Sequence, residues 1–335
     1  MRYDIELNSA AHYPARDVVE LAVLAEQAGF GALWKGESNS TDPLVLLSAV
    51  ASRSQRLLLG TAIYHIHGRS PVTLGIQAAT LQDLSGGRFL LGLGVGNENI
   101  AGWHGSTLTK PLERIREYIE IVRRVAQGER VEHQGRYYST GQRFRLAWKP
   151  QYGPPPVYVA ALGPRMAHLA GAVGDGVLIN MALPQKIREI AANVRRGAQD
   201  AGKDPDSVEI IAKVRVSVHP DERKARSRLR QVLTFYNLAE YYRDMLREMG
   251  FRTEVDRVHE AFREGGFKAA QEAITDEYMD RLPVIPAASV EEVRMRLEPF
   301  AEAGVTRLII PYVPAEDPPA EDAARFLRAW SAVKV

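Results

Sequence analysis

Residues 71–94 of the chain, PVTLGIQAATLQDLSGGRFLLGLG, contain the unit that decides the fold. The pattern predicts a helix from Pro71 to Leu84 and then an apolar strand from Phe89 to Gly94. The same alternation of strand-length apolar runs with amphipathic, helix-length stretches begins at the first residues of the chain. The sequence therefore predicts a protein built from repeated β-α units.

Outward from this unit, the alternation extends over both halves of the chain. Four β-α units occupy about the first 127 residues, and four further strands follow with longer interruptions. The eight predicted strands are Ile5–Leu7, Ala32–Trp34, Leu57–Ile63, Phe89–Gly94, Val157–Ala160, Gly176–Ile179, Val208–Val218 and Val305–Ile310. Eight strands with helices between them favour an α/β fold of the (β/α)8 TIM-barrel type over an open, doubly wound sheet.

Two segments interrupt the alternation. Residues 131–148 place Gly135 between aromatic and β-branched residues, which predicts a hairpin insertion. Residues 236–283 are charged, helical in pattern and interspersed with Tyr and Phe. An insertion of this length beside the strand ends predicts a lid over the barrel mouth, and the alternative is a helical excursion on the outer wall. Both insertions belong to one predicted domain, residues 1–335.

Composition narrows the classes of partner and chemistry. The 335 residues include 43 Lys and Arg against 41 Asp and Glu, a net charge of +2, so neither nucleic acid nor an anionic membrane is an expected partner. The absence of Cys excludes disulfides, thiolate metal sites and a cysteine nucleophile. The first residues lack the apolar core of a signal peptide, and a cytoplasmic location is expected.

Eight short stretches carry a resemblance to a known superfamily. They are AEQAGFGALW (25–34), GE (36–37), DPL (42–44), LGTA (59–62), AATLQDLSGGR (78–88), GLG (92–94), AALGPR (160–165) and GDGVLIN (174–180). In this order, over nearly the whole chain, they resemble the bacterial-luciferase-like superfamily of flavin- and F420-dependent oxidoreductases. The SGGR stretch at 85–88 is the most specific of them. Within the superfamily, the chain looks most like the F420-dependent methylenetetrahydromethanopterin reductase branch.

The resemblance implies a function and an assembly. It implies F420-dependent hydride transfer to or from a small organic substrate. An FMN-dependent monooxygenase that uses reduced flavin and molecular oxygen is the alternative, and it would need a flavin reductase as partner. A flavin-binding protein without catalysis is a third reading, which the full barrel and the lid disfavour. Members often form dimers, so a homodimer is expected.

The resemblance also implies cofactor-binding residues. A cis peptide between Ala62 and Ile63 is expected to form a bulge behind the cofactor ring, and the turn after the fifth strand is expected to bind the cofactor phosphate. The candidate cofactor-binding residues are Thr61, Ala62, Ile63, His65, Gly94, Asn97, Ala161, Leu162, Gly163 and Arg165. Taken without the resemblance, the same residues also fit a buried strand, a bend at the barrel rim and an ordinary β-α turn.

Two carboxylates, Glu6 and Glu37, are the candidate catalytic residues. Both are expected at the carboxyl ends of strands, where a carboxyl group can act as an acid. A salt-bridged barrel residue is the alternative for Glu6. The chain departs from the pterin reductases by placing Asn97 where they carry an acid, and Ser38 stands where many F420 enzymes of this group have a His, which leaves the substrate open.

A Schiff-base lysine and a histidine metal site are two alternatives that the sequence raises. Lys35 and Lys213 lie in or beside strands and raise a Schiff-base alternative, but it leaves the glycine-rich strand end and the phosphate turn unexplained. His65 and His67, with His12, lack the further ligands of a metal site and are expected to line the barrel mouth. No metal site is predicted.

Overall fold

The computed structural model describes residues 1–7 and 13–333. In the first half, short parallel strands alternate with helices that cover them. The elements are β1 (Arg2–Leu7), α1 (Ala15–Gln27), β2 (Ala32–Lys35), α2 (Pro43–Ala51), β3 (Leu58–Thr61), β4 (Tyr64–His65), α3 (Pro71–Leu84), β5 (Phe89–Gly94), α4 (Glu98–Trp103) and α5 (Pro111–Ala126).

The second half continues this alternation and adds two insertions. A hairpin follows α5, and a helical segment separates the last strands. The elements are β6 (Val131–Gln134), β7 (Ser139–Phe144), β8 (Val157–Ala160), α6 (Pro164–Val173), β9 (Gly176–Asn180), α7 (Pro184–Asp200), β10 (Glu209–Lys213), β11 (Arg215–Val218), α8 (Glu222–Leu238), α9 (Glu240–Leu246), α10 (Arg252–Glu272), α11 (Asp276–Asp280), β12 (Val284–Ala287), α12 (Val290–Glu302), β13 (Arg307–Tyr312) and α13 (Pro319–Ala332).

Eight parallel strands close into a barrel, which confirms the predicted TIM-barrel fold. The order is β1, β2, β3, β5, β8, β9, β10 and β13, and β13 pairs with β1 through partners such as Ile310 and Ile5. These are the eight strands that the sequence predicts. The long seventh predicted strand, Val208–Val218, is divided at Val214, so that β11 pairs with β12 and with the end of β13.

The barrel interior is filled by side chains at alternate strand positions. Trp34, Leu90, Leu178, Ile211 and Ile309 belong to this inner cluster. Close packing leaves no room for a side chain at Gly60, where a Cβ would lie 2.2 Å from Cε3 of Trp34. The centre of the barrel is therefore a packed core, as in other barrels of this type.

The two insertions also agree with the sequence pattern. The hairpin β6–β7 lies within residues 131–148. Helices α9 to α11 lie within residues 236–283 and pack on residues that directly follow barrel strands, namely Leu162, Met181 and Val313. These contacts place the helical insertion over the carboxyl-terminal mouth of the barrel, as a lid. Among the described helices, none is both long enough and apolar enough to span a membrane.

Candidate active site at the barrel mouth

One side of the mouth is formed by very small residues. Gly36, Ala62, Gly94 and Ala160 end or directly follow β2, β3, β5 and β8, which are neighbours in the barrel. A Cβ at Gly36 would lie 3.1 Å from the Ala62 carbonyl oxygen, and a Cβ at Gly94 would lie 3.3 Å from Cβ of Ala160. We call these four residues the small-residue platform. None of the four contributes a long side chain, so a flat ring can approach the backbone there once the Ile63 side chain, whose Cδ1 lies 2.1 Å from the position of a Cβ at Gly94, rotates aside.

The predicted cis peptide between Ala62 and Ile63 is confirmed in the platform. Hydrogen bonds surround it, since Glu37 N donates to Ile63 O over 2.8 Å and Ala62 N donates to Lys35 O over 3.0 Å. Lys213 Nζ donates to Ala62 O over 2.5 Å. The backbone at this point is thus held from β2 and from β10.

Glu6 lies beside the platform as one half of a buried ion pair. Its Oε2 is 2.7 Å from Lys213 Nζ, and both residues are 8% exposed. Burial lowers the pKa of the neighbouring Lys35, and the Glu6 carboxylate partly opposes this shift. Lys213 Nζ is engaged by both Glu6 and the Ala62 carbonyl oxygen, whereas Schiff-base chemistry requires an amine that is free to attack a substrate. Glu6 therefore places a carboxylate beside the platform, with Oε1 3.7 Å from the position of a Cβ at Gly36.

Glu37 occupies a different environment. Its Oε2 accepts from His65 N over 2.8 Å and lies 3.1 Å from His65 Nδ1, while its Oε1 accepts from Arg69 over 3.0 Å. Burial raises the pKa of Glu37, but the hydrogen bonds from His65 and Arg69 outweigh it and hold the pKa below its usual value. These contacts fit a carboxylate that holds the segment after β3 in place. The catalytic role of Glu37 stays a prediction.

The histidines of this segment are bound to neighbouring loops. His65 contacts Glu37, and His67 Nε2 lies 2.9 Å from Val95 O. Burial lowers the pKa of His67, although a hydrogen bond to Val95 opposes the shift. His12 lies outside the described residues. These contacts anchor the β3–β4 segment against the end of β5.

Two further candidate residues have structural partners. Thr61 is buried, and its Oγ1 donates to Gly92 O and accepts from Gly92 N, both over 2.9 Å. Asn97 caps α4, because its Oδ1 accepts from Ile100 N over 3.0 Å. Thr61 therefore joins β3 to β5 beneath the platform, and Asn97 begins a helix that the sequence pattern did not predict.

The turn that includes residues 161–163 and 165 lies at the rim between β8 and α6. Gly163 is the N-cap residue of α6 and provides no side-chain cap, and Arg165 is exposed. The Tyr241 hydroxyl of the lid lies beside this turn, 3.7 Å from the position of a Cβ at Gly163, and burial raises the Tyr241 pKa. The first turn of α6 therefore presents N–H groups that an anion can bind.

Sequence analysis missed a polar cluster on the opposite side of the mouth. Arg215 NH1 donates to Asn180 Oδ1 over 2.8 Å, and Arg215 NH2 donates to the Tyr236 hydroxyl. Asn180 Nδ2 contacts the Tyr242 hydroxyl at 2.7 Å. These residues join the end of β9 and the start of β11 to the end of α8 and to α9 of the lid. The sequence did contain a signal for this cluster. Lys213 and Arg215 are two residues apart in the predicted strand Val208–Val218, so their side chains are expected on the same face.

Comparison with known proteins shows that the chain is similar to several enzymes. The family model described as luciferase-like monooxygenase matches residues 4–307. The 5,10-methylenetetrahydromethanopterin reductase of Archaeoglobus fulgidus is 30% identical over 291 residues, which are 85% of this chain and 86% of that protein. An F420-dependent glucose-6-phosphate dehydrogenase of Mycolicibacterium fortuitum is 32% identical over 230 residues, 64% of this chain and 68% of that protein.

A solved structure is similar over almost the full length. The coenzyme F420-dependent tetrahydromethanopterin reductase of Methanopyrus kandleri superposes with a TM-score of 0.84 at 24% identity, covering 98% of this chain and 97% of that one. This likeness supports the fold described above.

Proposed function

Because the chain belongs to the luciferase-like monooxygenase family, we propose that it is an F420-dependent oxidoreductase that transfers a hydride to or from a small organic substrate. Similar proteins from Archaeoglobus and Mycolicibacterium support this proposal, since they are reductases and dehydrogenases, the latter named as F420-dependent. The observation that carries it is the small-residue platform beside the Glu6–Lys213 pair. The platform suits a flat ring, and the pair suits proton transfer at its edge.

The residues present fit the cofactor. When bound, F420 supplies a deazaflavin ring that accepts or donates a hydride. Ala62, Ile63 and Gly94 would hold the ring, with Thr61, His65 and Asn97 supporting the strand ends around it. The turn of Ala161, Leu162 and Gly163, together with Arg165, would hold the phosphate at the start of α6. The Ala161 N–H donates to Leu178 O over 3.1 Å, so the donors to the phosphate would be the N–H groups of Leu162 and Gly163 and the Arg165 side chain.

Glu6 would handle the proton of the reaction. Oxidation of an alcohol releases a hydride and a proton, and a carboxylate at the edge of the platform can accept that proton. Lys213 holds the Glu6 carboxylate in place through the 2.7 Å contact and ties it to the Ala62 carbonyl. Glu37 would act on the site through His65, whose backbone and ring it binds.

Titration of the purified protein with F420 and with FMN, followed by fluorescence quenching, tests the proposal. We expect F420 to bind more tightly than FMN. Tight binding of FMN without measurable binding of F420 would instead support the FMN-dependent monooxygenase, which uses reduced flavin from a partner reductase and molecular oxygen. The family description favours this second function.

The assembly is a further part of the proposal. We propose a homodimer in the cytoplasm, formed through α2, which has no charged residue and exposes 71% of Val45. Exposed apolar residues on an uncharged helix are typical of a protein interface. Light scattering should give the mass of two chains for the wild type and of one chain for Val45→Asp. A wild-type monomer would refute the dimer.

A further inference from the structure

Arg215 is buried at the mouth although its partners carry no charge. It is 5% exposed, and its two described hydrogen-bond acceptors are the Asn180 amide oxygen and the Tyr236 hydroxyl. The guanidinium also lies over the Tyr236 ring, with Cζ 4.4 Å from the ring centroid. Its Nε is buried and has no hydrogen-bond partner among the described residues. One N–H donor of this cation is therefore available.

The charges of the mouth do not balance around Arg215. Lys213, two residues earlier, is paired with Glu6. Within residues 1–7 and 13–333, no carboxylate lies within ion-pair distance of Arg215, and residues 8–12 contain neither Asp nor Glu. Burial of a guanidinium without an anion is costly, so a ligand that supplies an anion there would gain free energy from it.

We infer that Arg215 binds an anionic group of the substrate, a carboxylate or a phosphate. This inference rests on the proposed function, since it names the class of substrate that would be oxidised or reduced on the platform. Guanidinium donors bind such oxyanions through charge-assisted hydrogen bonds. Tyr236 and Tyr242 are half-buried lid residues, so the anionic group would lie between the strand ends and the lid. The reacting carbon would then extend toward the platform.

Binding of simple anions tests the inference without a known substrate. Inorganic phosphate and malonate would each be titrated calorimetrically into the wild type, Arg215→Gln, Arg215→Lys and Arg223→Gln. Arg223 is an exposed control, with 89% of its side chain accessible, and its substitution removes the same charge. We expect Arg215→Gln to weaken binding of the preferred anion about tenfold or more. Arg215→Lys should lose less, and Arg223→Gln should bind as the wild type does.

Three results would overturn the inference. They are no binding by the wild type, equal binding by the wild type and folded Arg215→Gln, and phosphate binding that Arg215→Gln leaves intact but F420 displaces. The last result would place the phosphate at the cofactor turn. If circular dichroism shows that Arg215→Gln is unfolded, the variants Arg215→Lys and Tyr236→Phe would be compared with the wild type instead. Unchanged anion affinity in both variants would contradict the assignment.

A second measurement separates this inference from the proposed function. F420 affinity should be the same in the wild type and Arg215→Gln. A panel of alcohols, each with and without a carboxylate or phosphate, would then be screened for a change in F420 fluorescence. Failure to bind F420 would refute the proposed function even where Arg215 binds the anions. Turnover of neutral alcohols alone would refute the substrate class while the function stands.

Discussion

The two ends of the barrel interior use similar ionic residues in different ways. At the amino-terminal end, Arg307 NH1 donates to both carboxylate oxygens of Asp4 over 2.8 and 2.9 Å, and Trp34 Nε1 donates to Asp4 over 2.8 Å. At the carboxyl-terminal end, Glu6 pairs with Lys213, while the partners of Arg215 among the described residues are uncharged.

The difference lies in charge compensation. Both Arg307 and Arg215 leave a buried Nε without an acceptor, so an unmet hydrogen bond alone does not distinguish them. Arg307 has a carboxylate partner, whereas Arg215 has none within residues 1–7 and 13–333. Removing one partner of a balanced buried cluster leaves an uncompensated charge and destabilises the fold, whereas an unbalanced cluster can gain free energy from a ligand. Changes at the amino-terminal end should therefore alter the stability of the fold, and changes at the mouth should alter ligand affinity.

Arg307→Met should have the largest effect. It leaves the Asp4 carboxylate buried without its cation, which should lower the free energy of unfolding by about 3–5 kcal/mol. Arg215→Gln is the matched change at the mouth, and we expect it to cost much less because no buried carboxylate loses its partner. Urea unfolding of both variants measures the difference. Equal losses would show that the two ends do not differ as we describe.

The pH dependence of stability should also depend on the amino-terminal end, through Asp4. Burial raises the pKa of Asp4 to about 6 from 3.8, although Arg307 and Trp34 oppose the shift. The folded state then binds more protons than the unfolded state, so this stabilisation is present below the lower value and is lost as the pH rises through the higher one. The change is on the order of 3 kcal/mol.

Asp4→Asn provides the comparison for this pH effect, because its amide does not titrate. Unfolding free energies measured from about pH 4 to about pH 7 should fall for the wild type relative to Asp4→Asn. Parallel pH profiles for the two proteins would contradict the raised pKa.

Most of the fold could be predicted from the sequence because the barrel strands are apolar runs of regular spacing. The eight strands and the hairpin were predicted in this way. β12 was missed since it is four residues long and contains Pro286, a residue that rarely occurs in central strands. α4 was not predicted because its six residues are too few to show a repeating helical pattern of apolar residues.

Less of the site could be predicted, because its polar residues meet only through the fold. The resemblance pointed to the cis peptide at Ala62–Ile63, and the structure contains it. The contact between Lys213 and Glu6 joins strands that are far apart in the chain. Arg215 meets Tyr236 only because the helical insertion folds back over the mouth. Sequence spacing reports a shared strand face but not such long-range partners.

At the mouth, Gly94→Val should mainly affect cofactor binding. A Cβ at Gly94 would lie 2.1 Å from Cδ1 of Ile63, the end of a flexible side chain that can rotate away. The fold should persist, but the added atoms would rise from the platform where the ring is proposed to lie. We expect F420 affinity to fall about a hundredfold. Gly94→Ala should lose less, and unchanged affinity in folded Gly94→Val would remove the ring from this site.

Gly163→Asp should have the smallest effect on F420 affinity. It should lower this affinity while slightly raising the stability of the fold. Gly163 has φ −92° and ψ 155°, which any residue can adopt, and the nearest atom to an added Cβ is the Tyr241 hydroxyl at 3.7 Å. A carboxylate at this N-cap position would accept from the free N–H groups of α6 and stabilise the helix by a few tenths of a kcal/mol. It would also occupy the proposed phosphate position with a like charge.

The expected result is a melting temperature that is equal to or above that of the wild type, with F420 affinity about tenfold lower. Gly163→Ala controls for the added Cβ, because it neither caps the helix nor repels a phosphate, and it should bind F420 nearly as the wild type does. Thermal unfolding and fluorescence titration would be measured on the same preparations. If Gly163→Asp were stabilised but bound F420 with unchanged affinity, the carboxylate would be on the α6 N–H groups and the phosphate would have to bind elsewhere on the rim.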